Sequence, residues 1–259
     1  MSALTAGGVV AFVGAGPGDP ELITLKGLRR LREADVVIHD RLVPVALLAE
    51  ARGSAEVIDV GKAPGGAGVS QGAINRLLVD RAGAGARVVR LKGGDPSLFG
   101  RLGEEIEAVR AAGLAFEVVP GVTAATAAAA VAGCSLSGRG RASLVVLATG
   151  TDWTGAGLPA LDWNLLARAE GTLVFYMATG RLPRLTATLL ALGRDPREPA
   201  ALIEGAGTSR ERVVAADLGR IAEVGRQAGV EPPAILLTGP TVDPAGVFLA
   251  SPGSIEAYA

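Results

Sequence analysis

Short apolar runs alternate with amphipathic stretches through the first half of the chain. Val9–Val13, Val36–His39, Glu56–Val60, Arg87–Leu91 and Phe116–Val119 are short, rich in valine and followed by turn residues, which predicts strands. Helix patterns lie between them. Leu22, Leu25, Leu28 and Leu31 recur at three-residue spacing and predict one apolar stripe. Ser70 can cap a helix that carries Ile74, Leu77 and Leu78. Leu102, Ile106 and Val109 form another stripe, with Glu104, Glu105 and Glu107 near its start, where the helix dipole favours acids. Strands alternating with helices in this way predict an α/β fold with a mostly parallel sheet covered on both faces.

Pro120-Gly121 follows the fifth strand, and a helix through Ala124–Ala132 follows in turn. A domain boundary is expected here, giving domains 1–121 and 122–259. The second half offers strands at Leu144–Ala148, Leu173–Met177, Ala200–Glu204, Arg212–Ala216 and Ala234–Thr238. Helical stretches near Trp163–Arg168, Leu182–Leu192 and Ile221–Gln227 separate several of them. A short Gly/Ser turn joins Ala200–Glu204 to Arg212–Ala216, so this pair reads as an antiparallel hairpin and the second sheet as mixed. Gly150–Gly157 reads as the most mobile loop.

Composition narrows the function classes. About half of the 259 residues are apolar and the formal net charge is −1, which gives no broad electrostatic footprint for nucleic acid or an anionic membrane. Aromatic residues make up 3%, too few for a surface that stacks successive bases. The single Cys134 excludes an internal disulfide and a Cys-based zinc cluster, and the single His39 excludes a multi-histidine metal site. The N-terminus lacks a basic segment followed by a long apolar run, and the apolar stretches are too short to span a bilayer. A cytoplasmic protein without nucleic-acid or membrane partners is the expectation.

Two glycine-rich turns carry the most chemistry. Gly14-Ala15-Gly16-Pro17-Gly18-Asp19-Pro20 leads from the first strand into a helix, where open α/β sheets bind ligands. It is not a dinucleotide fingerprint. The third glycine of G-x-G-x-x-G would fall on Asp19, which repels a pyrophosphate, and Pro17 removes a backbone donor. Lys92-Gly93-Gly94-Asp95-Pro96-Ser97-Leu98-Phe99-Gly100-Arg101 again joins a strand to a helix. Its glycines bare the backbone, and Asp95 can accept from hydroxyls or an amine or cap the helix. Two such turns at neighbouring strand ends suggest a shared cleft. Asp40 sits at the end of the second strand, where a carboxylate can face a cleft; a turn-initiating role or a local pair with Arg41 are the alternatives. His39 reads as a packing residue. Lys62 ends the third strand and could donate a proton, or be an ordinary solvated lysine. Thr123 can cap the helix after Gly121, and Met177 can pack on a flat or sulfur-bearing ligand or in the core.

Together these segments resemble the tetrapyrrole methylases, in particular their uroporphyrinogen-III C-methyltransferase branch. The matching pieces include Val13–Pro20, Asp40-Arg41-Leu42-Val43, Val60-Gly61-Lys62, Arg87–Pro96, Phe99-Gly100-Arg101, Val118-Val119-Pro120-Gly121 and Phe175-Tyr176-Met177, in family order over nearly the whole chain. The resemblance implies two α/β domains with the active cleft between them, a homodimer, and S-adenosyl-L-methionine as methyl donor with S-adenosyl-L-homocysteine as product and no metal. It assigns cofactor contacts to Pro17, Gly93, Gly94, Asp95, Leu98, Thr123, Ala124, Met177 and Ala206. It makes Asp40 the base and Lys62 the proton donor, and it places Arg101 near the tetrapyrrole. Arg41 and Arg139 are further cations for the substrate's carboxylates. The implied reaction is methylation of uroporphyrinogen III at C2 and C7 to precorrin-2, for sirohaem or cobalamin.

The chain departs from the family pattern mainly on the substrate side. Ala63 and Ala67 stand where an Arg and a His are usual, Ser137-Gly138-Arg139 replaces Thr-His-Arg, and Thr151 and Leu102 replace a His and a Gly. A later (cobalt-)precorrin as acceptor therefore stays open, as does a non-catalytic protein that binds S-adenosylmethionine or a tetrapyrrole.

Overall fold

The computed structural model describes residues 8–61, 68–152 and 154–242. The chain divides into two compact units, Met1–Thr123 and Ala124–Ala259.

The first unit holds β1 (Val9–Gly14), α1 (Leu25–Glu33), β2 (Val36–His39), α2 (Val45–Leu48), β3 (Glu56–Asp59), α3 (Gln71–Gly83), β4 (Arg87–Lys92), α4 (Leu102–Ala111) and β5 (Ala115–Val119). Its strands run in the order β3-β2-β4-β1-β5, and every pairing is parallel. Alternation along the strands loads both faces. Ala11, Val13, Val37, Val89 and Leu91 pack against Leu31 of α1 and Leu47 of α2. Val10, Phe12, Val36, Ile38 and Val88 pack against Ile74 and Leu78 of α3 and Val109 of α4. Thr24 and Ser70 cap α1 and α3 through hydroxyls that accept from Gly27 N (3.1 Å) and Ala73 N (3.2 Å).

The expected leucine stripe is not one face. A three-residue step falls about 60° short of a full helical turn, so the row winds around the helix. Leu22 lies in a separate 3-10 turn, Leu25 at the start of α1 is 85% exposed, and Leu31 is fully buried.

The second unit holds α5 (Ala124–Val131), β6 (Val145–Thr149), α6 (Trp163–Arg168), β7 (Thr172–Tyr176), α7 (Leu182–Ala191), β8 (Pro199–Glu204), β9 (Arg212–Asp217), α8 (Ile221–Gln227) and β10 (Ala234–Thr238). The sheet order is β6-β7-β10-β8-β9; β6 and β7 are parallel and the other pairings antiparallel, including the expected β8–β9 hairpin. Leu173, Phe175, Leu202, Val214 and Leu236 form a core with α6, α7 and α8. Alanine-rich α5 lies against β10. Within the segment read as the most mobile loop, Asp152 Oδ1 accepts from Thr154 N (3.0 Å) and Ala156 N (3.1 Å), and Arg181 Nη2 donates to Gly155 O (2.9 Å).

Candidate active site

The two glycine turns follow adjacent strands, β1 and β4, and are bonded to each other. Ala15 N donates to Lys92 O (2.7 Å), Gly94 N to Gly16 O (2.7 Å) and Gly16 N to Gly94 O (3.3 Å). The turn after β5 joins them. A Cβ on Gly14 would lie 2.6 Å from Gly121 Cα, and one on Gly121 would lie 2.3 Å from Gly94 O, so the backbones touch where no side chain fits. Gly93 is different. It is exposed, and a Cβ there would meet only Leu42 Cβ at an ordinary 3.7 Å. Packing within the unit does not require glycine at 93, so the backbone there is left open to solvent.

Asp95 ties two of these turns together. Its Oδ1 accepts from Ser97 N (2.8 Å) and from the Ser97 hydroxyl, and its Oδ2 accepts from Gly121 N (2.9 Å). Burial pulls its pKa upward, but these hydrogen bonds outweigh it and hold the carboxyl below its ordinary value of 3.8. Of the two roles open to Asp95 in the sequence, capping α4 is not the one it takes. That helix starts at Leu102, and its cap position is Arg101, in a left-handed conformation (φ 56°) with no side-chain cap bond. Arg101 is half exposed and bonded twice at 2.7 Å to Glu104.

Asp40 follows β2 at the same carboxyl end of the sheet. Its side chain is 35% exposed and pairs not with Arg41 but with Arg90 Nη2, at 2.5 Å. Arg90 is 3% exposed, and its Nε donates to Glu105 Oε1 (3.0 Å). Glu105 is fully buried; its Oε2 accepts from Lys92 Nζ (2.8 Å) and its Oε1 also from Gln71 Nε2 (3.2 Å). Arg90 and Lys92 share the face of β4 that looks toward α3 and α4, with Glu105 on α4 and Gln71 opening α3. Burial lowers the pKa of Arg90, but Asp40 and Glu105 more than reverse this. Lys92 is pushed down, first by burial and then by Arg90, against the pull of Glu105.

Sequence reasoning placed Glu105 among acids favoured by the dipole at a helix start and gave the side chains of Arg90 and Lys92 no role. A signal was available: the charges alternate with Val89 and Leu91 on a strand of a sheet covered on both faces, so they had to be buried and needed a counter-ion. His39 is buried, as expected of a packing residue, and its Nδ1 lies 3.1 Å from Asp40 O. Gly61 fits closely under Arg41; a Cβ there would lie 2.4 Å from Arg41 Cβ. Arg41 is exposed, and no ion pair is formed by it among the described residues. Lys62, Ala63 and Ala67 lie outside the described residues.

In the second unit, Met177 directly follows β7 with a left-handed backbone (φ 54°) and is 51% exposed. A half-exposed, non-glycine residue held in that region is typical of a ligand clamp. Tyr176 beneath it accepts from Ala125 N at 3.3 Å. Ala206 is buried between Gly205 (φ 56°) and Gly207 (φ 76°). Arg139 is exposed on a tight turn bridged by Gly138 and Ala142. Among the described residues no cluster of His, Cys, Asp and Glu could hold a metal ion, and no helix is long and apolar enough to cross a membrane.

Parallel strands with glycine turns and an acid at their carboxyl ends, followed by a mixed-sheet unit, define a class. Residues 9–222 match the family model of the tetrapyrrole (corrin/porphyrin) methylases, and the chain belongs to that family of methyltransferases. It is 45% identical over 235 residues to a siroheme synthase of Methylococcus capsulatus, covering 91% of this chain and 49% of that protein. The chain therefore spans about half the length of that relative. Its fold is similar to that of uroporphyrin-III C-methyl transferase from Thermus thermophilus complexed with S-adenyl homocysteine, with a TM-score of 0.77, 45% identity and coverage of 90% of this chain and 92% of that one. It is also similar to a cobalt precorrin-4 methyltransferase of cobalamin biosynthesis, with a TM-score of 0.83 and 29% identity over 91% of this chain and 96% of that one.

Proposed function

We propose that this protein is an S-adenosylmethionine-dependent C-methyltransferase that converts uroporphyrinogen III to precorrin-2 by methylation at C2 and C7. The observation that carries the reading is Asp40: a partly open carboxylate at the sheet end that bears the ligand-ready glycine turns, backed by a buried arginine. Fold likeness does not separate this acceptor from a later precorrin, because both neighbours superimpose well. Identity favours uroporphyrinogen III, at 45% against 29%.

The bare backbone at Gly93 and the strained, half-exposed Met177 fit a bound S-adenosylmethionine. The proposed contacts are Pro17, Gly93, Gly94, Asp95, Leu98 and Thr123 from the first unit and Ala124, Met177 and Ala206 from the second. When bound, S-adenosylmethionine supplies an electrophilic methyl on a sulfonium, so the protein's work is alignment and proton removal. Asp40 accepts the proton that the macrocycle loses as the new C–C bond forms. Lys62 is proposed as proton donor. Arg41, Arg101 and Arg139 hold substrate carboxylates as charge-assisted pairs. A homodimer is part of the proposal, and sedimentation of the purified protein checks it.

The test is anaerobic incubation of the protein with S-adenosylmethionine and uroporphyrinogen III, beside a parallel reaction on a later precorrin. The expected result is a dimethylated product with the absorbance of precorrin-2 and a higher kcat/KM for uroporphyrinogen III. Preference for the later precorrin reassigns the acceptor, and transfer to neither removes the enzymatic reading.

A further inference from the structure

Behind Asp40 stands more charge than one proton-accepting carboxylate needs. Asp40, Arg90, Glu105 and Lys92 form a continuous chain of ion pairs, and the last three are 3, 0 and 2% exposed. Such a set is a poor way to stabilise a core, because apolar side chains of similar volume usually serve as well or better. Its geometry is directional. Glu105 takes Arg90 by Nε and Lys92 by Nζ, and Gln71 supplies a third donor, so the acid is saturated from the side away from Asp40. Arg90 is thereby held with Nη2 turned to Asp40, while its Nη1 lies 3.4 Å from the carbonyls of Ile38 and Leu91.

We propose that Glu105 is a positioning residue for Asp40: it fixes Arg90 from the buried side of the sheet and, with Lys92, balances the charge against which Asp40 takes up a proton. The inference rests on the reading of Asp40 as the base. As built, two cations face two anions. The surrounding groups are His39 on β2, Arg41 in the turn after it, Gln71 and Asn75 on α3, and Arg90 and Lys92 on β4. Neutralising Glu105 leaves an excess positive charge next to Asp40 and makes it a weaker base. Neutralising Lys92 leaves an excess negative charge and does the opposite.

The experiment measures kcat against pH for wild type, Glu105→Gln and Lys92→Met, each also in an Asp40→Asn background. Calorimetric affinity for S-adenosylhomocysteine and Tm are recorded alongside. Glu105→Gln is expected to lower kcat about tenfold, part of what a general base contributes, and to move the acid limb to lower pH. Lys92→Met is expected to move that limb to higher pH, and it keeps the proposal testable if Glu105→Gln does not fold. Both effects should vanish in the Asp40→Asn background, because both act through Asp40. A purely structural role would lower Tm without opposite pH shifts. With Asp40→Asn impaired, an unmoved acid limb in both variants, or equal losses with and without Asp40, overturns the role of Glu105. Full turnover by Asp40→Asn overturns the base assignment itself, and the proposal with it.

Discussion

Gly93 and Gly14 belong to the same pair of turns and answer to different constraints. At Gly14 a side chain would collide with the backbone of Gly121 and Gly94, whereas at Gly93 it would meet only Leu42. Gly14→Ala is therefore expected to destabilise the first unit by about 2 kcal/mol or more, read by urea denaturation, because the colliding atoms are backbone that cannot move aside. Gly93→Val should leave the midpoint nearly unchanged and weaken S-adenosylhomocysteine at least about tenfold by calorimetry; equal loss of stability at both sites would make Gly93 a structural glycine too. Met177 offers the converse change. A left-handed backbone costs a non-glycine residue about 1–2 kcal/mol, and glycine costs about 0.5–1 kcal/mol in chain entropy, so Met177→Gly should be neutral or slightly stabilising yet bind the cofactor less tightly. Asp95 gives a pH signature. Its pKa is depressed on folding, so its contribution is present above the unfolded value near 3.8 and is lost as pH falls through the lower folded value. The stability gap between wild type and Asp95→Asn, followed by urea melts, should be full at neutral pH and shrink only in that acid range.

At the scale of elements, the β/α alternation was legible because valine-rich strands and capped helices announce themselves locally. The strand bounds moved by only a residue or so, as at β7, which ends at Tyr176 and leaves Met177 outside. What pattern could not resolve was facing. The leucine row Leu22–Leu31 looked periodic and is not one face, and Glu105 looked like one of several acids set at a helix start by the dipole and is fully buried. Both depend on how one element is rotated against another, which spacing alone does not encode. The turns at Gly14–Pro20 and Lys92–Arg101 were legible as a pair, but their mutual hydrogen bonds and the Arg90 partner of Asp40 arise from the parallel register of β1, β2 and β4. In the second unit Arg194 shows the same non-local logic. It is buried, bonds Glu198 twice (2.7 and 3.0 Å) and donates to the carbonyls of Leu166 (2.9 Å), Ala169 (3.2 Å) and Gly171 (3.4 Å). It thus joins the end of α6 to the starts of β7 and β8. Arg194→Met should cost about 3–5 kcal/mol in a denaturation experiment, since Glu198 and the carbonyls lose their common donor.

For the whole molecule, a ligand that binds only the folded chain raises its stability by mass action. S-adenosylhomocysteine at about a hundred times its Kd should add about 2.7 kcal/mol, seen as a rise in Tm, and Gly93→Val should erase about half of that rise or more at the same concentration. The order β3-β2-β4-β1-β5 has a consequence in time. The first strand made occupies an inner place in its sheet, and its neighbours on either side are β4 and β5, with Val9 set against Arg87 and Ala115. On a ribosome adding about 5–20 residues per second, β1 waits about 4–16 s for the earlier of those partners. Throughout that interval an apolar segment, Val-Val-Ala-Phe-Val-Gly, has both hydrogen-bonding edges vacant. The nascent chain must keep that segment from other strands until its flanks arrive, because β1 joins the sheet only once β4 has been made.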